Sequence, residues 1–131
     1  MEGGGEAYKM IVVVGSRCPE IAFRYSLLIS GLGHAALAVR ETAPLLSCIL
    51  DPRSGLLIIE DGFVPNTSAH TLINRIRSMP GPKSSIPIIR VWKGPVLAGG
   101  HDSHSVVTMK APVTGRDFDQ VMQTLGLSRG G

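Results

Sequence analysis

Four short aliphatic runs punctuate the chain, and each is continuous rather than alternating: Met10–Val14, Leu56–Ile59, Ile86–Val91 and Ser105–Met109. A fifth, weaker run is Ala35–Val39. A strand with one face in water alternates apolar and polar residues. An unbroken apolar strand suits a sheet covered on both faces. Helical patterns fill the gaps. Pro19 fits a first helical position, and Ile21, Tyr25, Leu28, Ile29 and Leu32 then recur at helical spacing up to a terminating Gly33. Thr42 is expected to cap a second helix carrying Leu45, Leu46 and Ile49. Thr67 or Ser68 is expected to cap a third, with Leu72, Ile73, Ile76 and Met79, stopped by Pro80-Gly81-Pro82. Thr114 and Asp117 have capping-box spacing ahead of Phe118, Val121, Met122 and Leu125. Between the last two strands, Lys93–His104 holds three glycines and a proline, which predicts a short or irregular helix. Strand and helix alternating about five times demands right-handed crossovers and a parallel α/β sheet.

At 131 residues the chain fits one domain, and 44% hydrophobic residues against 5% aromatic ones imply an aliphatic core. The expected domain is 9–127, with flexible tails at 1–8 and 128–131. The net charge is only +3. Its cations, among them Arg17, Arg24, Arg40, Arg53, Arg75, Arg77, Lys83, Arg90, Lys93 and Lys110, are scattered and lack interleaved aromatics. That describes a solvated, mildly basic surface, not a nucleic-acid groove. Cys18 and Cys48 have no zinc-type spacing, so two buried thiols in a reducing compartment are expected. No stretch is long enough to insert into a membrane and no secretory leader opens the chain, so a cytoplasmic protein is expected.

The chemistry-bearing stretch is Leu56-Leu57-Ile58-Ile59-Glu60-Asp61-Gly62-Phe63-Val64-Pro65. An apolar strand runs into a carboxylate and a turn. In open α/β sheets, ligands collect just past the carboxyl ends of the strands, which is where Asp61 would stand. Glu60 adjoins it but should point to the other face, unless the strand end twists. Asp61 has a plainer reading as the capping residue of that turn. Trp92 reads first as packing or interface, and Cys18, near a helix start, as a structural thiol. His101 and His104 read as an exposed loop rather than metal ligands. Gly15 and Ser16 lack the spacing of a nucleotide-binding turn or a nucleophile elbow.

Taken together, these pieces resemble the response-regulator receiver (CheY-like) domains of two-component signalling. The resemblance spans about Lys9 to Leu127. It rests on Val12-Val13-Val14 with Pro19-Glu20-Ile21, Gly31-Leu32-Gly33-His34, Asp61 four residues before Pro65, Ile86-Pro87-Ile88-Ile89, and Lys110-Ala111-Pro112-Val113. It implies a flavodoxin-like three-layer sandwich with a five-stranded parallel sheet in the order 2-1-3-4-5. It also implies a phosphoacceptor at Asp61, an acidic pair after strand 1 holding Mg2+, a Ser or Thr after strand 4 and a Lys after strand 5. Magnesium and the two donors would neutralise the transferred phosphoryl oxygens.

This sequence departs from that pattern. The acidic pair is replaced by Gly15, Ser16 and Arg17. The hydroxyl position falls on Trp92, and Lys110 matches the lysine only if one extra residue is accommodated. One lost donor already costs roughly 2.7–4 kcal/mol in an active site. The expectation is therefore a degenerate, non-enzymatic pseudo-receiver without a cofactor. It would act by binding a signalling partner such as a histidine kinase or output domain, or as a homodimer, with Trp92 and Lys93 as candidate contacts. Lys110 or Arg17 would stand in as the cation beside Asp61. One alternative is a genuine phosphoacceptor, with Asp61 modified, Lys110 assisting and Mg2+ bound. Another is a small-molecule binder using the space between Gly15, Asp61, Trp92 and Lys110.

Overall fold

A computed structural model describes residues 10–63, 69–92, 106–110 and 113–127. Five strands form one parallel sheet: β1 (Ile11–Gly15), β2 (Ala35–Val39), β3 (Ser54–Glu60), β4 (Ile88–Trp92) and β5 (Val106–Lys110). Their order is β2-β1-β3-β4-β5, as the resemblance implied. The helices are α1 (Pro19–Gly31), α2 (Thr42–Ile49), α3 (Ala69–Arg77) and α4 (Gly115–Thr124), with a 3-10 turn at Pro82–Ser85. The Lys93–His104 segment and the Thr67 and Ser68 capping positions lie outside the described residues, as do both tails.

Side chains alternate across the sheet and build two cores. On one face Val12, Val14, Leu56, Ile58, Ile89 and Val91 pack with Tyr25 and Ile29 of α1 and Phe118 and Met122 of α4. On the other, Val13, Leu57, Ile59 and Ile88 pack with α2 through Leu45 and Ile49 and with α3 through Leu72, Ile73 and Ile76. This is the three-layer arrangement that unbroken aliphatic strands require. Each fully buried branched side chain contributes about 1.5–3 kcal/mol.

Several local expectations hold. Cys18 is the N-cap of α1 and Pro19 follows it. Gly33 takes φ +84° just past the helix, a conformation that suits glycine. The capping box of α4 is complete: the Asp117 N–H donates to Thr114 Oγ1 at 3.1 Å, and the Thr114 N–H donates to Asp117 Oδ2 at 3.3 Å. Others need correction. Glu41, not Thr42, is the N-cap of α2, because the Glu41 carbonyl accepts the first intrahelical bond, from Leu45 N–H. The α3 helix ends at Arg77, so Met79 packs from beyond it. Strand β4 starts only at Ile88, since Pro87 has no N–H and serves the ladder through its carbonyl, which accepts from Leu57 N–H. Both cysteines are free but half-buried rather than buried. Among the described residues, no helix is long and apolar enough to cross a membrane.

Candidate functional site

At the carboxyl edge of the sheet, β1 ends at Gly15, β3 at Glu60, β4 at Trp92 and β5 at Lys110. Alternation sends the residues there to two faces. Ser16 and Glu60 fall on the α1 face, in step with Val12, Val14, Leu56 and Ile58. The Ser16 hydroxyl donates to Glu60 Oε1 at 2.9 Å and accepts from the Cys18 N–H at 3.2 Å. Its own N–H donates to the Val39 carbonyl at 3.1 Å, which ties it to β2. Both residues are buried, Ser16 at 1% exposure and Glu60 at 3%. The charge of Glu60 acts on Tyr25 of α1: burial first, then Glu60, pushes that phenol up to about 12. The strand-end carboxylate nearest the β1 terminus is therefore Glu60, and its partner is a hydroxyl.

The opposite face is plugged. A Cβ on Gly15 would lie 2.7 Å from Leu45 Cδ1 and 3.4 Å from the Phe63 ring. Phe63 reaches this place through a tight turn in which its N–H donates to the Glu60 carbonyl at 3.0 Å and Gly62 takes φ +87°. Phe63 is 2% exposed. Asp61, at the start of that turn, is half-buried. Its N–H continues the ladder, donating to the Val91 carbonyl at 2.8 Å. Among the described residues, no hydrogen bond or ion pair to its carboxylate is found, so it does not cap the turn as the plainer reading expected.

On the same face of β4, Arg90 and Trp92 follow Ile88, and the guanidinium carbon lies 5.1 Å from the centre of the indole ring. This is cation–π distance. Trp92 stands opposite Lys110, and Arg90 opposite Thr108. The strand spacing puts the backbones of Asp61 and Lys110 about 10 Å apart, with β4 between them. The side chain of Lys110 and the whole of Lys93, His101 and His104 lie outside the described residues. Arg17 is exposed, and it donates to the Arg40 carbonyl at 3.4 Å instead of entering the cleft.

The donor set does not fit magnesium. The ion takes an octahedral shell of hard oxygens, usually including carboxylates. The β1 end offers a glycine packed against Leu45 and Phe63 and a hydroxyl already bonded to Glu60. Among the described residues, no group of three His, Cys, Asp or Glu side chains could hold a metal ion.

Sequence reasoning overlooked two features. Arg90, expected among the solvated cations, is 7% exposed. The signal was available: an arginine between Ile88-Ile89 and Val91-Trp92 lies inside a strand buried on both faces. Phe63, two residues past a strand-end acid, is the second, and it returns to the core at 2% exposure.

No protein-family model and no curated protein matches the sequence. Solved structures do match. A CheY-like response regulator receiver domain from Methylobacillus flagellatus superposes with a TM-score of 0.72 at 15% identity, over 89% of this chain and 98% of that one. The chain has the receiver fold. The signal receiver domain of a histidine kinase from Syntrophus aciditrophicus gives 0.71 at 16% identity, over 93% of this chain and 95% of that one. The receiver domain of a sensor histidine kinase from Pseudomonas aeruginosa PAO1 gives 0.73 at 10% identity, over 90% and 98%. That last structure has a magnesium ion coordinated in its active-site cleft. Its receiver fold is shared here.

Proposed function

We propose that this domain is a pseudo-receiver: a non-catalytic module of a two-component system that works by binding a signalling protein, such as a histidine kinase or an output domain. The observation that carries this reading is the β1 terminus. Leu45 and Phe63 close on Gly15, and Ser16 spends its hydroxyl on buried Glu60. Phosphoryl transfer to an aspartate gains most from cations positioned on the transferred oxygens. Here the strand-1 side of the cleft supplies none.

The proposed site residues divide accordingly. Asp61 is the retained acid at the phosphoacceptor position. Gly15, Ser16 and Arg17 occupy the lost metal-binding positions, and Trp92 the lost hydroxyl position. Lys110 is the cation proposed to act on Asp61. Trp92 and Lys93, at the β4 terminus, are the proposed partner contacts, and the same surface serves if the domain pairs with itself. Cytoplasmic residence goes with this role.

One observation favours a second reading. Asp61 remains half-buried at the edge of the sheet, with no described partner for its carboxylate. An acid so placed is what a phosphorelay needs. Incubation with acetyl phosphate and Mg2+, read by intact mass, separates the two. The pseudo-receiver gives no phosphoryl adduct, whereas an adduct lost in D61N establishes the relay. Partner binding is tested by W92A in a pull-down with the candidate kinase.

A further inference from the structure

Strand β2 closes one side of the sheet, and its sequence is Ala35-Ala36-Leu37-Ala38-Val39. Its bonds to β1 begin with the Ala35 N–H donating to the Met10 carbonyl at 3.0 Å and end with the Val39 carbonyl accepting from the Ser16 N–H at 3.1 Å. The two-residue strand period puts Leu37 in the same inward set. The N–H and C=O groups of Ala36 and Ala38 therefore point away from β1, and among the described residues no backbone group bonds to them. Sheet edges are commonly guarded by a charge, a proline or a bulge. β2 has no charge and no proline, and its register with β1 runs without a shift. Leu37, at its centre, is 42% exposed on the α2 face, in step with Val13. On the other face α1 packs over β1 and β2. Leu28 turns toward α4, where a Cβ on Gly115 would lie 3.5 Å from its Cδ2. Phe23 lies about 140° around the helix from Leu28. It therefore overhangs the β2 side, and it is 65% exposed.

We propose that β2 is the pairing edge for a second copy of this chain, joined antiparallel about a two-fold axis at Leu37 into one continuous sheet. In that register the strand is its own complement. Ala36 and the partner's Ala38 exchange both N–H···O bonds, and the symmetric pair does the same. Leu37 meets the partner's Leu37 as the close pair between them. Arg40 falls opposite the partner's His34. In each copy His34 Nδ1 accepts the Met10 N–H at 3.1 Å and so carries no proton, which keeps like charges from facing each other. The strand spacing sets α1 and the partner's α1 roughly 10 Å apart, which is helix-packing distance. Phe23, with the small Ser26 and Ser30 on the same flank, lines that seam. A stable interface covers roughly 800 Å² per partner, more than a five-residue edge supplies, and the α1 seam adds to it. An unrelated strand would bring no helix to Phe23; a second copy does. The proposal goes beyond the pseudo-receiver reading and does not rest on it. It places self-association at the side of the sheet opposite β4 and β5 and leaves Trp92 open to a signalling partner.

The test is sedimentation equilibrium of the full chain from about 1 μM to about 1 mM, the span over which weak interfaces dissociate. A concentration-dependent doubling of mass is expected. L37K sets two ammonium groups against each other at the axis, so its dissociation constant should rise at least about tenfold. W92A should dimerise as the wild type does. L37C is the second variant, and it decides the matter if L37K does not fold. A close antiparallel pair brings two Cβ atoms within disulfide reach, so mild oxidation should join the two introduced thiols. Peptide mapping locates that crosslink, which the wild type should lack. A wild-type chain that stays monomeric throughout overturns the proposal and leaves the edge to another protein's strand or to a further segment of this chain. Undiminished pairing in L37K, no crosslink in L37C, or pairing that W92A abolishes overturns it as well. None of these outcomes bears on phosphorylation of Asp61, so the pseudo-receiver reading stands or falls separately.

Discussion

The two faces of the sheet meet its carboxyl edge on opposite terms. On the α1 face, Ser16 donates to one oxygen of buried Glu60, Oε1, while Oε2 is sealed without a hydrogen bond, and Ser16 is itself held by Cys18 and β2. On the α2–α3 face the next acid, Asp61, has no described partner, the space beside β1 is filled by Leu45 and Phe63, and the Nε of Arg90 is buried without an acceptor. The last residue of β3 and the residue that follows it thus have contrasting fates. A hydrogen-bonded buried acid contributes to a fixed core. The difference separates an acid held within a fixed core from an acid left half-buried at the sheet edge.

The largest break in this comparison should come from restoring an acid at the plugged face. G15D forces a Cβ to 2.7 Å from Leu45 Cδ1, a side chain with no exposure, and buries a carboxylate beside it. Overpacking costs about 1–3 kcal/mol, and an unpaired buried charge adds to it. Urea denaturation should show a loss of about 3 kcal/mol or more, without any gain in Mg2+ affinity. A G15D protein of wild-type stability that binds Mg2+ would mean the plug yields easily and the cleft is intact.

Next comes pH on the supplied face. Tyr25 titrates near 10 in an unfolded chain and near 12 here, chiefly through burial and then through Glu60. A raised folded value means the folded state holds its proton longer. The associated stability is fully present below pH 10 and is lost as the pH climbs from 10 through about 12. At 1.36 kcal/mol per unit the loss is roughly 2–3 kcal/mol. In Y25F this part of the alkaline loss should be absent, and E60Q should shift the phenol downward, read by its absorbance on titration.

A smaller effect tests the hydroxyl itself. S16A leaves Glu60 Oε1 without its donor and the Cys18 N–H without its acceptor. Leaving a buried polar group unpaired costs about 1–3 kcal/mol. In a cycle with E60Q, the coupling between positions 16 and 60 should be about 0.5 kcal/mol or more, as for residues in direct contact. A coupling near zero would remove the distinction between the two acids.

Most of the architecture was legible because it rests on pattern. Unbroken Val12-Val13-Val14 and Ile88-Ile89 have one economical home, a sheet covered on both sides, and the Thr114–Asp117 spacing defines a helix start locally. The site was only half legible. That Glu60 and Asp61 point apart follows from the strand period, but which of them touches the β1 end depends on where β3 stops. The strand runs one residue past the aliphatic stretch, to Glu60, and strand ends are set by tertiary pairing rather than composition. The Phe63 plug is a contact between distant segments, β1, α2 and a turn, which no periodicity encodes. By composition Arg90 is one more scattered cation, and only its position inside a strand covered on both faces marks it as buried.

The smallest expected effect is at Asp61. Its backbone is fixed by the bond to the Val91 carbonyl, which a side-chain change leaves alone, and its half-buried carboxylate has no described partner to lose. D61N removes a charge and keeps the shape. A substitution away from any network usually stays within about 0.5 kcal/mol, and urea denaturation near neutral pH should place D61N in that range. The contrast with S16A is the point of the measurement, because one strand step separates Asp61 from Glu60. If D61N instead costs more than about 1 kcal/mol, the carboxylate is paired in solution. Repeating the substitution in R90M and in K110M backgrounds then names the partner, since only the background lacking the true cation will make D61N silent.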